Sequence, residues 1–421
     1  MLTKLKVLLT AENKEKIRSL IYSIGGVAVF NMVLQFFVYP SFERELGEVQ
    51  YGVILSILSF LAITAGTCGS AANYARIMGL EKEHTESADY NLLILLLCTL
   101  SNIAGVIYLV TLKITDPLSI GLYLLLTIVT LLRYYSDVEF RIHTNFLRYM
   151  IFYLIISAGY LLGVLVFRLS GVWMLALILG EVASIFYVAC CGKIYRPPFF
   201  KKTAAFGAVF TSVGMLTISF FFENITLHAD RILLLALTGD GAAVTTYYIA
   251  SLVGKLVALL IVPINSMIIS YLVQYKGKLT TKMWSVISVS ALGFSLIAFL
   301  GCWLVSPLLV YILYPDSLAT VRAFFVPAIL GQILYFVSGA LLTVLLRFYG
   351  ERLQLFFNIS YVVEFFILVI LGTHIFDLWG FVLAILLANA IRFIVILIFG
   401  FCSNGKAKIE NTDVDMEVAE A

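Results

Sequence analysis

"ENITLHADRILLLALTGDGAAVTTYYIASLVGK", Glu223–Lys255, sets five charged side chains (Glu223, Asp230, Arg231, Asp240, Lys255) and His228 among leucines, isoleucines and tyrosines. Long apolar runs flank it on both sides. The whole chain of 421 residues is 62% hydrophobic and 13% charged, against roughly 25% charged in a soluble protein. A helix of about 20 apolar residues crosses a hydrocarbon core of about 30 Å. Repeated runs of that length between short charged connectors specify an all-α polytopic membrane protein; a soluble bundle does not need them. The charged stretch therefore lies at bilayer depth. An ionised side chain costs about 2.5–3.5 kcal/mol there on insertion scales, so it faces protein or a wet cavity rather than lipid.

Working outward, the hydropathy predicts twelve transmembrane helices near residues 19–40, 50–75, 91–112, 118–136, 146–167, 171–192, 206–238, 243–274, 284–306, 322–346, 353–373 and 376–401. The first run is too long for a signal-peptide core and has no small-x-small cleavage site, so it reads as an uncleaved span. With the N-terminus placed in the cytoplasm, 21 of the 28 Lys and Arg fall on the inner side. Four (Arg44, Lys113, Arg168, Arg322) fall outside, and Arg231, Lys255 and Arg392 fall within spans. That asymmetry obeys the positive-inside rule and puts both termini in the cytoplasm.

The chain also reads as a duplication. "FRLSGVWMLALILG" (Phe167–Gly180) and "FDLWGFVLAILLAN" (Phe376–Asn389) share F-x-L-x-G ahead of an apolar helix, 209 residues apart. "YGVILSILSFLA" (Tyr51–Ala62) and "YYIASLVGKLVA" (Tyr247–Ala258) both begin just after an outer turn. Two pseudo-symmetric six-helix lobes follow, related as a parallel repeat about the membrane normal. Residues 1–192 form the first and 206–401 the second. The basic cytoplasmic linker 193–205 joins them, and the polar tail 402–421 follows.

Span seven is predicted to run nearly 50 Å at 1.5 Å per residue, so it must tilt, break or project. Glu223, Thr226 and Asp230 share one arc of it, with Asn224, His228 and Arg231 beside them. Span eight presents Tyr247, Ser251 and Lys255 at i, i+4, i+8, and Pro263 marks a kink in its inner half. Each charge also has a purely structural reading, as an ion pair holding the bundle together. Arg392 in particular is expected to snorkel to the inner face. The small-residue run "AGTCGSAA" (Ala65–Ala72) predicts a close helix approach. Six scattered cysteines and four scattered histidines offer no metal or disulfide spacing. No Ser/His/Asp, metal or phosphate-loop arrangement is present at usable spacing, so the chain reads as a non-enzyme with no cofactor and no nucleic-acid partner.

Four stretches resemble one family. "LGEVQYGVILSILSF" (Leu46–Phe60) is similar to the L-G-x-x-x-Y-G entry to span two of bacterial polysaccharide-transport flippases. "DRILLLALTGDGAAVTTYYIAS" (Asp230–Ser251) is similar to their D-R-x-x-L…G…Y-x-x-A segment. "RFYGERLQLFFNIS" (Arg347–Ser360) resembles their inner turn before span eleven, and "LWGFVLAILLAN" (Leu378–Asn389) their opening of span twelve. These are the O-antigen and capsule repeat-unit flippases of the multidrug/oligosaccharidyl-lipid/polysaccharide exporter superfamily. The likeness extends over the whole chain in span number and order, and the small-residue run Gly66–Ala72 departs from it.

The resemblance implies two lobes around a central cavity in a bacterial cytoplasmic (inner) membrane. It implies translocation of an undecaprenyl-pyrophosphate-linked oligosaccharide repeat unit by alternating access, with membrane lipids and other polysaccharide-assembly proteins as partners. Arg231 and Lys255 are then the cavity cations that balance the diphosphate. Arg76, Arg133, Arg141 and Arg148, at inner helix ends, gather the headgroup, although ordinary positive-inside topology accounts for them equally. Asp230 or Glu223 is the candidate for proton or sodium coupling, or for pairing with a cation. Tyr247, Tyr248 and Asn265 are the candidate sugar contacts. A multidrug or cation antiporter of the same superfamily is the alternative; it needs a mainly acidic and aromatic pocket. A membrane polymerase or ligase needs a sizeable outer segment with catalytic arginines or histidines, whereas the outer connector Ser306–Val321 carries only Asp316 as a charge.

Overall fold

The computed structural model describes residues 11–79, 86–196, 199, 201–257 and 277–403. Its helices are α1 (Ala11–Val33), α2 (Tyr39–Leu61), α3 (Thr67–Gly79), α4 (Ser87–Thr111), α5 (Pro117–Ser136), the short α6 (Val138–Ile142), α7 (Phe146–Ser170) and α8 (Trp173–Cys191). There follow α9 (Phe206–Thr238), α10 (Gly241–Leu256), α11 (Thr281–Leu313), α12 (Leu318–Val321), α13 (Phe325–Tyr349) and α14 (Glu351–Cys402).

Among the described residues, nine stretches are long and apolar enough to cross a membrane. Two of them hold a pair of spans each. The first reverses at Gly47, whose φ of 79° and ψ of 165° break the helix. The last reverses at Phe376–Asp377, where Asp377 takes φ 48°. With α10 opening span eight, the architecture is the twelve-helix, two-lobe fold expected. Most predicted ends agree with the helices to within a few residues; the first span begins earlier, at Ala11, and runs on to the break at Gly47, the ninth runs on to Leu313, and the predicted end of span eight at 274 lies outside the described residues. Span seven resolves as one unbroken 33-residue helix, so it neither kinks nor splits. Pro263 and the rest of span eight beyond residue 257 lie outside the described residues.

Packing divides the chain into two units, Met1–Leu233 and Leu234–Ala421. The division falls inside α9, downstream of the connector 193–205, because α9 up to Arg231 is bonded to first-unit helices. Its Phe220 ring meets Tyr74 at 5.2 Å.

In the first unit α7 and α8 form an antiparallel hairpin that also packs on α1 and α5. A Cβ added at Gly159 would lie 2.5 Å from Gly180 Cα, and one at Gly163 2.2 Å from the Ala176 carbonyl oxygen. The backbones approach that closely because these positions lack side chains. The small-residue run in α3 acts as expected: a Cβ at Gly69 would meet the Leu131 carbonyl of α5 at 2.5 Å. In the second unit the matching hairpin is made by the two arms of α14, where a Cβ at Gly380 would lie 1.8 Å from the Gly372 oxygen. The aligned glycines of F-x-L-x-G do different jobs: Gly171 is itself the turn, with φ 73°, whereas Gly380 sits in the crossing.

Residues 193–203 are held against the first unit by buried carboxylates. Glu139 accepts the backbone N–H groups of Lys193 (3.0 Å) and Ile194 (3.2 Å). Asp89 accepts Thr203 N–H (2.8 Å) and its hydroxyl (2.6 Å). Tyr195 shares a 2.6 Å hydrogen bond with Ser136, and burial pushes its phenol pKa up despite that bond.

Candidate functional site

Helix α9 carries the charged stretch. Arg231 and Asp230 have side chains only 10% and 8% exposed, with Arg231 Nε 4.0 Å from Asp230 Oδ1. Arg231 Nη1 donates to Ser59 Oγ of α2 at 3.3 Å, and the Arg231 backbone N–H donates to Asp230 Oδ1 at 2.9 Å. A charge-assisted N–H···O bond is ordinarily about 2.7–2.9 Å. At 4.0 Å the carboxylate offsets the guanidinium charge without clamping it. Glu223 is exposed, two turns before Asp230 on the same helix.

In the second unit, Lys255 of α10 is half-buried, its Nζ 5.5 Å from the Tyr247 ring centre. The Tyr247 hydroxyl accepts from Gln332 Nε2 at 3.1 Å and its ring stands edge-on to Phe381 at 5.1 Å. Tyr247 and Tyr248 are each 1% exposed, so both are closed to a sugar in this conformation. Asn265 lies outside the described residues.

The four arginines expected at the entrance do not form one group. Arg133 is a correction to the entrance assignment: its side chain points into the first unit's core. Its Nε donates to Glu181 Oε2 at 3.0 Å, with exposures of 7% and 2%. Tyr160 donates to Glu181 Oε1 at 2.7 Å, and the guanidinium lies 3.8 Å from the Tyr134 ring centre. Arg148 is exposed, with a 3.4 Å bond from Nη1 to the Cys191 carbonyl.

Arg76 and Arg141 are each anchored where α3 meets α5 and α6. Arg76 donates to the Tyr135 hydroxyl and to Ser87 Oγ (2.8 Å). Arg141 Nη1 donates to Asn73 Oδ1 at 3.1 Å and lies 3.9 Å from Asp137 Oδ1. Asn73 in turn donates to Asp137 and to the Tyr134 carbonyl (3.0 Å), and Tyr153 donates to Asp137 Oδ2 at 2.9 Å. The two cations are thus fixed, half-buried, on a polar network joining α3, α5, α6 and α7.

Asn73, Asp137, Tyr153 and Tyr160 join these networks without having been expected from the sequence. "YYSDVEFR" (Tyr134–Arg141) did carry a signal, since two carboxylates between helix-end arginines predict ion pairing. Arg392 also departs from its expected place at the inner face. That residue is 8% exposed and does not snorkel: its guanidinium lies 4.8 Å from the Tyr335 ring centre and 4.7 Å from that of Tyr361. Among the described residues no group of three or more His, Cys, Asp and Glu could hold a metal.

No family model and no curated protein matches this chain. Solved structures do. An inward-facing multidrug resistance MATE family transporter of the MOP superfamily superposes with a TM-score of 0.67 at 14% identity, over 88% of this chain and 93% of that one. The lipid II flippase MurJ, in an inward closed conformation, gives 0.68 at 14% identity, over 91% and 89%. This chain has the fold of the MOP-superfamily transporters. The Vibrio cholerae MATE transporter VcmN in its bent form gives 0.60 at 13% identity, over 93% and 97%. Identities this low show the shared fold.

Proposed function

We propose that this multi-pass membrane protein is a flippase. It carries an undecaprenyl-pyrophosphate-linked oligosaccharide repeat unit across a bacterial cytoplasmic membrane by alternating access of two lobes, residues 1–192 and 206–401, with both termini inside. One observation carries the reading: cations stand within the spans, half-buried or buried, in a fold shared with a lipid II flippase. A diphosphate headgroup cannot cross hydrocarbon unaided, and such cations replace the water it loses. Arg231, offset by Asp230 at 4.0 Å, and Lys255 balance the diphosphate. Arg76, Arg141 and Arg148 gather it at the inner face, while Asp230 or Glu223 couples an ion gradient to the change of state. Tyr247, Tyr248 and Asn265 would meet the sugar after a rearrangement that opens span eight.

Complementation of a flippase-null strain tests this. Arg231→Ala and Lys255→Ala are each expected to abolish surface polysaccharide at normal protein levels. Full activity from both removes the two residues from the site.

The antiporter reading is favoured by a different observation, the exposed Glu223 on α9 together with MATE transporters among the structural neighbours. It predicts that expression raises resistance to cationic drugs and that Glu223→Gln abolishes this, outcomes the flippase reading does not give.

A further inference from the structure

Arg392 has no role in the proposed pathway, yet it is the most unusual charge in the second unit. It lies in the second arm of α14, ten residues before Cys402, which puts it about 15 Å from that end of the helix. It is 8% exposed. Among the described residues no carboxylate comes within ion-pair distance of it, and Glu364, one turn beyond Tyr361, is not bonded to it. Of the five N–H donors a guanidinium has, one is bonded among the described residues: Nη2 to Asn358 Oδ1, long at 3.5 Å. Nε is buried with no hydrogen-bond partner.

The surroundings hold the side chain in place without neutralising it. Tyr335 of α13 and Tyr361 of α14 offer ring faces at 4.8 and 4.7 Å, which attract a cation but accept no hydrogen bond in the guanidinium plane. Tyr361 is itself fixed by donating to Asn389 Oδ1 at 2.8 Å. A guanidinium stacked on aromatics keeps its planar fork of donors available for an oxyanion. The first arm of α14 gives access, because Asn358 is exposed while Arg392 behind it is buried.

We propose that Arg392 and Asn358 form an anion-binding point within the second unit that takes a phosphate-class oxyanion. The anion supplies the counter-charge absent among the described residues and engages Nε and the outer donors, and the Asn358 amide nitrogen turns toward it. That the anion belongs to a polyprenyl pyrophosphate rests on the flippase reading above; that the site binds a free oxyanion does not.

The test uses the purified full chain in nanodiscs with two probes, inorganic pyrophosphate and undecaprenyl pyrophosphate, binding being measured directly for each. Wild type is expected to bind both saturably. Arg392→Gln is expected to weaken both at least tenfold, with Arg392→Lys intermediate, because Lys restores the charge without the fork. Asn358→Leu, an exposed position that packing tolerates, is expected to weaken both severalfold and serves as the test if Arg392→Gln does not fold. Loss confined to the lipid probe supports the site with a headgroup as its occupant; loss confined to free pyrophosphate supports it with a soluble anion. Binding of both probes within twofold of wild type in Arg392→Gln, or in Asn358→Leu where that variant is the test, overturns the proposal. Failure of wild type to complement a flippase-null strain, with these losses still seen, would fault the flippase reading and leave the anion site standing.

Discussion

Removing either partner of the Arg133–Glu181 pair should destabilise the protein far more than removing both. The contact is short, 3.0 Å from Nε to Oε2 and 3.3 Å to Oε1, and both side chains are nearly sealed, at 7% and 2% exposure. Glu181→Gln leaves a guanidinium facing Phe30, Tyr134 and a neutral amide. Breaking one side of a buried pair costs about 3–5 kcal/mol, whereas replacing both partners by groups of similar volume is often neutral or better. Arg133→Met should cost a similar amount, since Glu181 then keeps only Tyr160 against its burial. Arg133→Met combined with Glu181→Gln should cost about 1 kcal/mol or less, giving a coupling of roughly 5 kcal/mol or more by double-mutant arithmetic. At roughly 2–4 °C per kcal/mol for a unit of this size, each single change lowers Tm by about 6–20 °C. Fluorescence-detected size-exclusion after graded heating of the detergent-solubilised chain reads this directly. Single losses under about 2 °C, or a double loss equal to the sum of the singles, would refute the claim that the pair is desolvated and mutually dependent.

Three further outcomes are expected. Gly380→Ala places a Cβ 1.8 Å from the Gly372 carbonyl oxygen, a backbone clash no rotamer relieves, while at Gly293 a Cβ meets nothing within 4 Å. Heating should show a loss of roughly 3 kcal/mol, the upper end of overpacking costs, for the first and none for the second. Asp89→Ala strands the Thr203 N–H and hydroxyl, at about 1–3 kcal/mol. Trypsin should therefore cut at Lys201 or Lys202 about 5- to 150-fold faster, cleavage following the population of the locally opened chain. Asp116 caps α5 by accepting from Ser119, whose hydrogen bonds hold its carboxyl below the ordinary range. A lowered folded pKa gives stability that is present above the unfolded value of about 3.9 and lost as pH falls through the folded value. Acid titration of helix unfolding should show that loss below about pH 4 in wild type and not in Asp116→Asn.

The spans were legible because hydropathy and charge asymmetry are one-dimensional signals, and they located helix ends such as Pro117–Ser136 and Phe206–Thr238 closely. Side-chain direction is not such a signal. Arg133 sits in the last turn of α5, where a basic residue ordinarily faces the headgroups, and nothing nearby in sequence announces Glu181, 48 residues on. Arg392 was misread for the same reason, since the rings that enclose it come from α13 and from the far arm of the α14 hairpin. The Asn73–Asp137–Tyr153 network escaped because it joins three helices through single atoms. The repeat, visible as F-x-L-x-G, held at the level of hairpins but not at that of individual glycines, because a turn and a crossing can each use the missing side chain.

The three buried arginines among the described residues, Arg133, Arg231 and Arg392, differ in how completely the protein neutralises them, and this separates structure from function more sharply than their positions do. Arg133 has a carboxylate at 3.0 Å whose other oxygen is taken by Tyr160, so an incoming anion would have to displace a desolvated, hydrogen-bonded partner. Arg231 has its carboxylate at 4.0 Å, and Arg392 has two rings and one amide oxygen. An anion gains most where internal compensation is least, because it then displaces the least. Charge-preserving Arg→Lys changes should therefore split the three. At Arg133, Lys loses the planar fork and the stacking on Tyr134, so stability falls while transport per folded molecule is kept. At Arg231 and Arg392, Lys retains a cation where a headgroup would bind, so stability is kept and transport falls only in part. Complementation normalised to folded protein, beside Tm, measures both axes, and an Arg133→Lys variant that folds normally but does not transport would break the argument.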